Sequence, residues 1–452
     1  MRLNHIFLRH FMTDDISEPG YPSDEHAHTY KFYKFLEKYK SPVDPDYNIP
    51  HGFELNVTPK ITYNEVELRP IMKKDHLNVI WVPMHYPIWR WFNEYYPEAF
   101  HDLEVLADPN SEYPTAVVWD YNNETLLPGN FTNNETQLPI LKDKDYSQFY
   151  CSTLAWQRQN VQDTIGFKDI IQNYSALGGL ILFEMYQNQL SDPGQHLYFE
   201  GGIATKVKTI PPIRYLCPSN VFRPNRAMCI VKMHQKGMLD NTEWNMNQMD
   251  SWFEMDRFHD SQPFGSYVDE YFKLFGITER VMSYPWNKTF NMDRVMQGRG
   301  DYSMSFKSSY DTFPASLVDK TYLYIVQETF THYPTEQPIN PTKPVHVGDW
   351  SEKILKGFYY GMPMFLNARQ GTGKIMEELG FDMLTDYSKH DYDSEPDSVV
   401  RIDKMLDSAI EFPEPNQDII DRLQHNNRLV RNKEFWWNSQ SLLVEKLLDN
   451  HS

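Results

Sequence analysis

The sequence has only three cysteines, Cys151, Cys217 and Cys229, and they lie far apart along its 452 residues. An odd, widely spaced set excludes a disulfide framework and a zinc knuckle, and it predicts a reducing, cytoplasmic setting. Long apolar runs are also missing. No stretch approaches the ~18 residues that would suggest a membrane span, so no membrane partner is expected. The amino terminus, MRLNHIFLRHFMTDD, lacks the apolar core and small-residue cleavage site of a signal peptide. In that setting, sequons such as Asn123-Glu124-Thr125 and Asn134-Glu135-Thr136 carry no glycan. Basic residues are few against acidic ones, 43 to 62, for a formal net charge of -19. Such a surface repels nucleic acid unless positive charge is concentrated locally. HExxH, GxSxG, GxGxxG and paired CxxC motifs are absent, which leaves zinc-hydrolase, serine-hydrolase and dehydrogenase readings without support.

What is present is enough apolar material, 40% hydrophobic and 15% aromatic, to bury sizeable cores. The length suits two domains of about 200 residues each. Ser23 can cap a helix from His26 to Tyr39, and residues 41–75 read as loop with short extended pieces. Strands are expected at Asn78–Val82, Ala116–Trp119 and Gly179–Phe183, with helices at Ile88–Tyr96 and Phe167–Asn173. The three strands run into His85, Asp120 and Glu184. Strands alternating with helices predict α/β domains with parallel sheets. Pro211-Pro212 suits a linker, which places an amino-terminal domain at 1–205 and a second at 212–415, followed by a helical tail at 416–452. In the second domain Tyr215–Cys217 opens as a strand, and a helix entered through Arg223 and Arg226 ends near Gly237. Residues 240–315 yield no motif, Thr321–Val326 is a central strand with Glu328 at its end, and the chain after Asp391 reads as acidic surface. Two tail helices follow, carrying Ile419, Ile420 and Leu423, then Leu442, Leu443, Leu447 and Leu448.

The most informative stretch is Gly348 to Phe381. Asp349 or Ser351 can cap a helix whose first turn holds Glu352 and Lys353, where the helix dipole favours an anion. Ile354, Leu355, Phe358 and Tyr359 share one face, Gly361 suits the end of the helix, and Pro363 blocks its continuation. Met364-Phe365-Leu366 is a short buried strand, and Arg369-Gln370-Gly371-Thr372-Gly373-Lys374 turns into a second helix that ends at Gly380. The GTGK string is not a nucleotide-binding P-loop, since the first glycine of that motif is missing and Ile375 replaces the hydroxyl residue. Gly371 and Gly373 nevertheless offer a turn that could cradle a diphosphate at a helix start.

Taken together, Trp350-Ser351-Glu352-Lys353, the helix, Gly361-Met362-Pro363-Met364-Phe365, the glycine pair and Leu379-Gly380-Phe381 resemble the carboxyl-terminal half of GT-B glycosyltransferases. The likeness is to fucosyltransferase-type enzymes and to related phage and giant-virus proteins. Asp391-Tyr392-Asp393 with Arg401 resembles the "SYD…R" that follows in the viral sequences. This chain departs in having Ser351 where threonine is usual and Ile354-Leu355 where Thr-Trp or Thr-Phe is common. The amino-terminal half matches only in general plan. The resemblance implies two Rossmann-like domains facing a cleft, with carboxyl-terminal helices crossing back. It also implies a UDP- or GDP-linked sugar as co-substrate rather than a bound cofactor, and a role for Glu352 in holding the donor ribose.

Inverting sugar transfer needs a base for the acceptor hydroxyl and positive charge for the departing diphosphate. Asp120 is the first candidate base, with Glu184 and His85 as alternatives; a strand-end polar residue can equally be a cap. Positive charge comes from an island between Gly201 and Leu239 with seven Lys and Arg and no acid: Lys206, Lys208, Arg214, Arg223, Arg226, Lys232 and Lys236. Arg223 and Arg226, with Lys232 and Lys353 behind them, would meet the diphosphate; the other reading is a solvated basic face. Glu328, Glu352, Lys353, Gly371 and Gly373 complete the donor-side candidates. The DxD strings at Asp44-Pro45-Asp46 and Asp391-Tyr392-Asp393 follow no clear strand, so a metal-dependent GT-A enzyme is not expected and no metal ligand is assigned. A hydroxymethylated pyrimidine in phage DNA is one acceptor that the basic island could serve; a protein or glycan hydroxyl is another. The alternative function is a non-catalytic GT-B-like binding or virion-associated protein.

Overall fold

The computed structural model describes residues 2–8, 53–57, 65–83, 99–121, 145, 147–153, 167–172, 210–219, 224–246, 318, 320–328 and 351–451. The expected helices at 26–39 and 88–96, the expected strand at 179–183, and His85, Glu184 and Arg223 lie outside these residues. Two units emerge: unit 1 is Met1–Phe183 with Asn432–Ser452, and unit 2 is Glu184–Arg431. Among the described residues both are α/β with parallel, Rossmann-like sheets, the class expected from the sequence.

Unit 1 holds strands β1 (Arg2–Phe7), β2 (Phe53–Val57), β3 (His76–Pro83), β4 (Thr115–Tyr121), β5 (Phe149–Thr153) and β6 (Asp169–Gln172). They form one sheet in the order β2-β1-β3-β4-β5-β6. Leu77, Val79, Ile80, Trp81 and Val82 are all buried, the continuous apolar run of a strand covered on both faces. Polar residues in these strands are paired with one another. Asn4 donates to Asn78 Oδ1 at 2.8 Å and accepts from Asn56 at 2.7 Å. Trp81 Nε1 donates to His5 Nδ1 at 2.9 Å, and burial pushes the His5 imidazole down to about 3, so it stays neutral. Helix α1 (Ala99–Leu106) lays Phe100 edge-on against Phe149, with ring centres 5.2 Å apart.

The helix expected over Phe167–Asn173 is instead β6. Its Ile170-Ile171 pair is β-branched and short, and parallel pairing to Cys151 and Ser152 outweighs any helical tendency. β1, β2 and β5 were likewise not foreseen as strands.

Unit 2 holds β7 (Ile213–Ser219), β8 (Thr242–Met246), β9 (Thr321–Gln327) and β10 (Met364–Asn367) in the order β10-β9-β7-β8. Its helices are α2 (Pro224–Gln235), α3 (Glu352–Tyr359), α4 (Thr372–Glu378), α5 (Ser398–Glu411) and α6 (Gln417–Val430). Ala227 to Val231 and Met233 of α2 share a core with Leu323 and Ile325 of β9, Ile402, Met405 and Leu406 of α5, and Ile419, Ile420 and Leu423 of α6. The stretch after Asp391 is therefore not mere surface: one face of α5 is core.

The start and end of α3 follow the sequence signals. Ser351 caps it, and Gly361 at φ 59° lets Met362 N–H reach the Gly357 carbonyl at 3.0 Å. α3 packs on β9, β10 and α6, and Phe358 stacks on Phe381 at 4.0 Å.

The tail divides between the units. α6 stays in unit 2, whereas α7 (Lys433–Asp449) belongs to unit 1, where Leu443, Val444 and Leu447 are buried and Lys446 pairs with Asp169 at 3.3 Å. The return to the first unit thus begins after Arg431 rather than at residue 416. Counted within each unit, both sheets begin second-first-third-fourth. In unit 2 the chain therefore reverses direction across the sheet between β7 and β9. The crevice at such a switch point, outside the carboxyl ends of the strands, is where open α/β sheets bind ligands.

Candidate functional site

At the switch point of unit 2, α2 starts just beyond β7, and Glu328 follows the last residue of β9. Asn225 Nδ2 and Arg226 Nε both donate to the Glu328 main-chain carbonyl, at 3.1 and 3.3 Å. Asn225, Arg226 and Glu328 are buried, at 5%, 4% and 2% exposure. The Glu328 carboxylate turns to the neighbouring helix. It accepts from Ser351 N at 3.0 Å and lies 2.7 and 2.9 Å from Ser351 Oγ. Ser351 Oγ in turn accepts from Lys353 N at 3.3 Å and Lys353 Nζ at 3.0 Å, and that ammonium lies 3.7 Å from Glu328 Oε2. Five residues from three segments thus meet at one spot.

Beneath them is a layer of amides. Asn367 Nδ2 donates to Gln327 Oε1 at 2.7 Å and to the Asn225 carbonyl at 3.3 Å. Gln327 Nε2 donates to Cys229 and Cys217 at 3.0 and 3.3 Å. Burial holds the Cys217 thiol well above its ordinary value, so it is neutral. The amides fix the ends of β9 and β10 and the start of α2 without burying charge.

The glycine turn differs from the expectation. Gly371 takes φ 82°, and α4 begins there, but its first-turn amides are already occupied. Gly373 N and Lys374 N donate to the Asp393 carboxylate at 3.0 and 3.1 Å, and Gly371 N donates to the Asp393 carbonyl at 2.9 Å. A Cβ on Gly373 would come within 3.3 Å of that carboxylate. The anion at this helix start is therefore the protein's own, and a diphosphate does not meet free N–H groups at Gly373. Asp393 is held above the ordinary carboxylate range, chiefly by burial, against the amides and Arg401.

The rest of the 391–401 stretch braces the same corner. Tyr392 Oη accepts from Leu366 N at 3.3 Å on the outer side of β10, and Arg401 Nε donates to the Ala368 carbonyl at 3.2 Å. Burial pushes Arg401 down to about 10, so it remains charged at neutral pH. Asp391-Tyr392-Asp393 is thus a clamp on β10 and α4.

The other sequence candidates fall as follows. Lys232 is not at this edge: it lies in the last turn of α2 and pairs with Asp403 at 2.7 Å. Lys236 pairs with Asp407 at 2.5 Å, and Arg214 with Glu414 at 2.9 Å. The described part of the basic island is largely neutralised by carboxylates that come much later in the chain. Glu352 is the first residue of α3. Asp120 lies in unit 1, next to last in β4 and 6% exposed, in register with Pro83 and Ser152. Burial first, and the Asp120 charge second, raise the neighbouring Cys151 thiol. Asn225, Gln327, Asn367, Asp393 and Arg369 were not assigned roles from the sequence. Arg369 is buried just past the end of β10, and its place after an apolar strand is the signal that singled out Asp120.

Among the described residues no group of His, Cys, Asp and Glu could hold a metal ion, and no helix is long and apolar enough to cross a membrane. No protein-family profile matches the chain, and no curated protein does. Solved structures with some likeness include α,α-trehalose-6-phosphate synthase from Burkholderia multivorans, with 8% identity, 100% of this chain and 98% of that chain covered, and a TM-score of 0.38. Another is the amino-terminal domain of Candida albicans trehalose-6-phosphate phosphatase, with 10% identity, 100% and 97% covered, and a TM-score of 0.42. A third is the UDP-forming α,α-trehalose-phosphate synthase from Burkholderia xenovorans, with 11% identity, 98% of each chain covered, and a TM-score of 0.38. Likeness at this level carries no conclusion about activity, and the architecture above stands on its own strands and helices.

Proposed function

We propose that this chain is a GT-B-type glycosyltransferase that takes a nucleotide-sugar at the carboxyl edge of unit 2 and transfers the sugar to an acceptor hydroxyl. The observation that carries this reading is the convergence of Asn225, Arg226, Ser351 and Lys353 on Glu328 at the switch point between β7 and β9. Two helix starts and a buried guanidinium at one strand end suit an anionic ligand. The Ser351-Glu352-Lys353 resemblance supports a nucleotide-sugar as that ligand.

In this scheme Arg226, with Arg223 before it, neutralises charge that develops on the departing diphosphate. Glu352 holds the ribose, and Lys353 adds a positive charge at the start of α3. The base that takes the acceptor proton is assigned to Asp120, with Glu184 and His85 as the other candidates. Gly371 and Gly373 shape the corner beside the donor rather than binding its phosphates. For the acceptor, the pairing of Arg214, Lys232 and Lys236 with carboxylates weakens the case for a phage DNA base, and a neutral glycan or protein hydroxyl suits this acidic chain better.

The test is a thermal-shift series with UDP, GDP and their sugars. A ligand at 100 times its Kd stabilises the native state by about 2.7 kcal/mol. For a unit of this size that is a rise of roughly 5–11 °C. A rise with one nucleotide, followed by release of that nucleoside diphosphate from its sugar when an acceptor is supplied, is expected. No shift with any member of the series would remove the reading.

A further inference from the structure

Glu328 was expected among the residues that contact the donor. Its carboxylate is 3% exposed as a side chain, and both oxygens lie within hydrogen-bonding distance of Ser351. Ser351 is the cap of α3 and presents its own oxygen to Lys353 N, so the Glu328 charge is passed on to the first turn of that helix. The same residue's carbonyl receives Asn225 and Arg226 from the first turn of α2. Its amide is tied as well, donating to the Asn367 carbonyl at 3.1 Å. One residue therefore links three segments at the switch point: α3 through its side chain, α2 through its carbonyl and the end of β10 through its amide.

We propose that Glu328 is a positioning residue of the donor site, holding the starts of α2 and α3 in fixed relation without touching the ligand. This rests on the donor-site reading above. The carboxylate acts through Ser351, which makes the two side chains one energetic unit. A ligand-contacting Glu328 would instead act independently of Ser351, and a purely structural one would change melting without changing affinity.

The test is a double-mutant cycle on nucleotide affinity, measured by calorimetry on the full chain with UDP and GDP, alongside melting without ligand. Glu328→Ala, Ser351→Ala and the double variant form the cycle, and Glu328→Gln, which keeps the shape, covers the case in which the alanine variant does not fold. Each single variant should bind about tenfold more weakly, a change equivalent to about 1.4 kcal/mol, and the double variant should bind no more weakly than either. Glu328→Gln should lose affinity while melting close to wild type, because the amide cannot supply the charge facing Lys353. Three results would overturn the proposal: additive losses, an unchanged Kd in Glu328→Gln and Ser351→Ala, or variants that melt lower yet bind as wild type. If wild type itself binds neither nucleotide, the donor-site reading fails and this proposal fails with it. Failure of the cycle with wild-type binding intact leaves that reading standing.

Discussion

Replacing Asp393 by alanine isolates the clamp that closes the start of α4. The carboxylate accepts from Gly373 N and Lys374 N at 3.0 and 3.1 Å, and both donors lose their partner in the variant. A lost helix cap costs about 1 kcal/mol, and a buried donor left without an acceptor about 1–3 kcal/mol. Against this stands the release of a buried carboxylate, whose raised pKa shows that burial opposes its charge. The net loss at neutral pH is about 2 kcal/mol, which for a unit of this size lowers Tm by roughly 4–8 °C. The sign of the pH dependence follows from the raised folded pKa. Folding binds the Asp393 proton more tightly than the unfolded chain does, so this contribution is complete below the ordinary carboxylate value and is lost as pH rises through the folded one. The Asp393→Ala deficit should therefore be larger near pH 4 than at pH 7. Hydrogen exchange gives the local readout: the Gly373 and Lys374 amides should exchange about 30-fold faster in the variant, the factor equivalent to 2 kcal/mol. Unchanged exchange at these two amides, or a Tm within 1 °C of wild type, would refute the assignment of Asp393 as the anion of this helix start.

Three further outcomes are expected. Gly357→Ala places a Cβ 1.9 Å from Met364 Sδ and 2.7 Å from its Cγ; despite better helix propensity it should lose about 1–2 kcal/mol in urea unfolding, and Met364→Ala in the same chain should relieve the clash. Ser351→Ala removes a helix cap and takes the hydroxyl donor from the buried Glu328 carboxylate while the main-chain N–H bond at 351 stays, so it should lose about 2 kcal/mol, more than a solvent-exposed cap. Asp382 is held below its ordinary value: burial opposes this, but bidentate bonds from Arg422 at 2.5 and 2.8 Å, with the Leu384 amide, prevail. Its stabilisation is present above the unfolded pKa and lost as pH falls through the folded one, and acid titration of Arg422→Met should show that step missing.

The readable parts of the chain were those settled by neighbours in sequence. α3, β10 and α4 are encoded contiguously, with Ser351 as cap, Gly361 and Gly380 as left-handed ends, and an apolar run between, so local rules placed them. β3, β4 and β9 were visible as β-branched and aromatic runs, and β7 as the short Tyr215–Cys217 run after Pro211-Pro212. β1 was not, because Asn4 and His5 spoil its apolar pattern, and their partners Asn78 and Trp81 lie more than seventy residues away. The Lys and Arg island between Gly201 and Leu239 looked unopposed for the same reason: Asp403, Asp407 and Glu414 pair with it from the far end of unit 2. At the site, Glu352 and Arg226 were legible as helix-start residues. That Asp393 fills the glycine turn and that Glu328 faces Ser351 depends on contacts across 20 and 23 residues, which no local pattern encodes.

The most direct test of the donor site is a hydrogen-exchange footprint of the full chain with saturating UDP or GDP. Protection confined to the starts of α2 and α3, residues 225–227 and 351–355, with no change at the Gly373 and Lys374 amides, is the pattern expected. Protection at Gly373 and Lys374 with none at those two helix starts would contradict the placement of the nucleotide at the switch point.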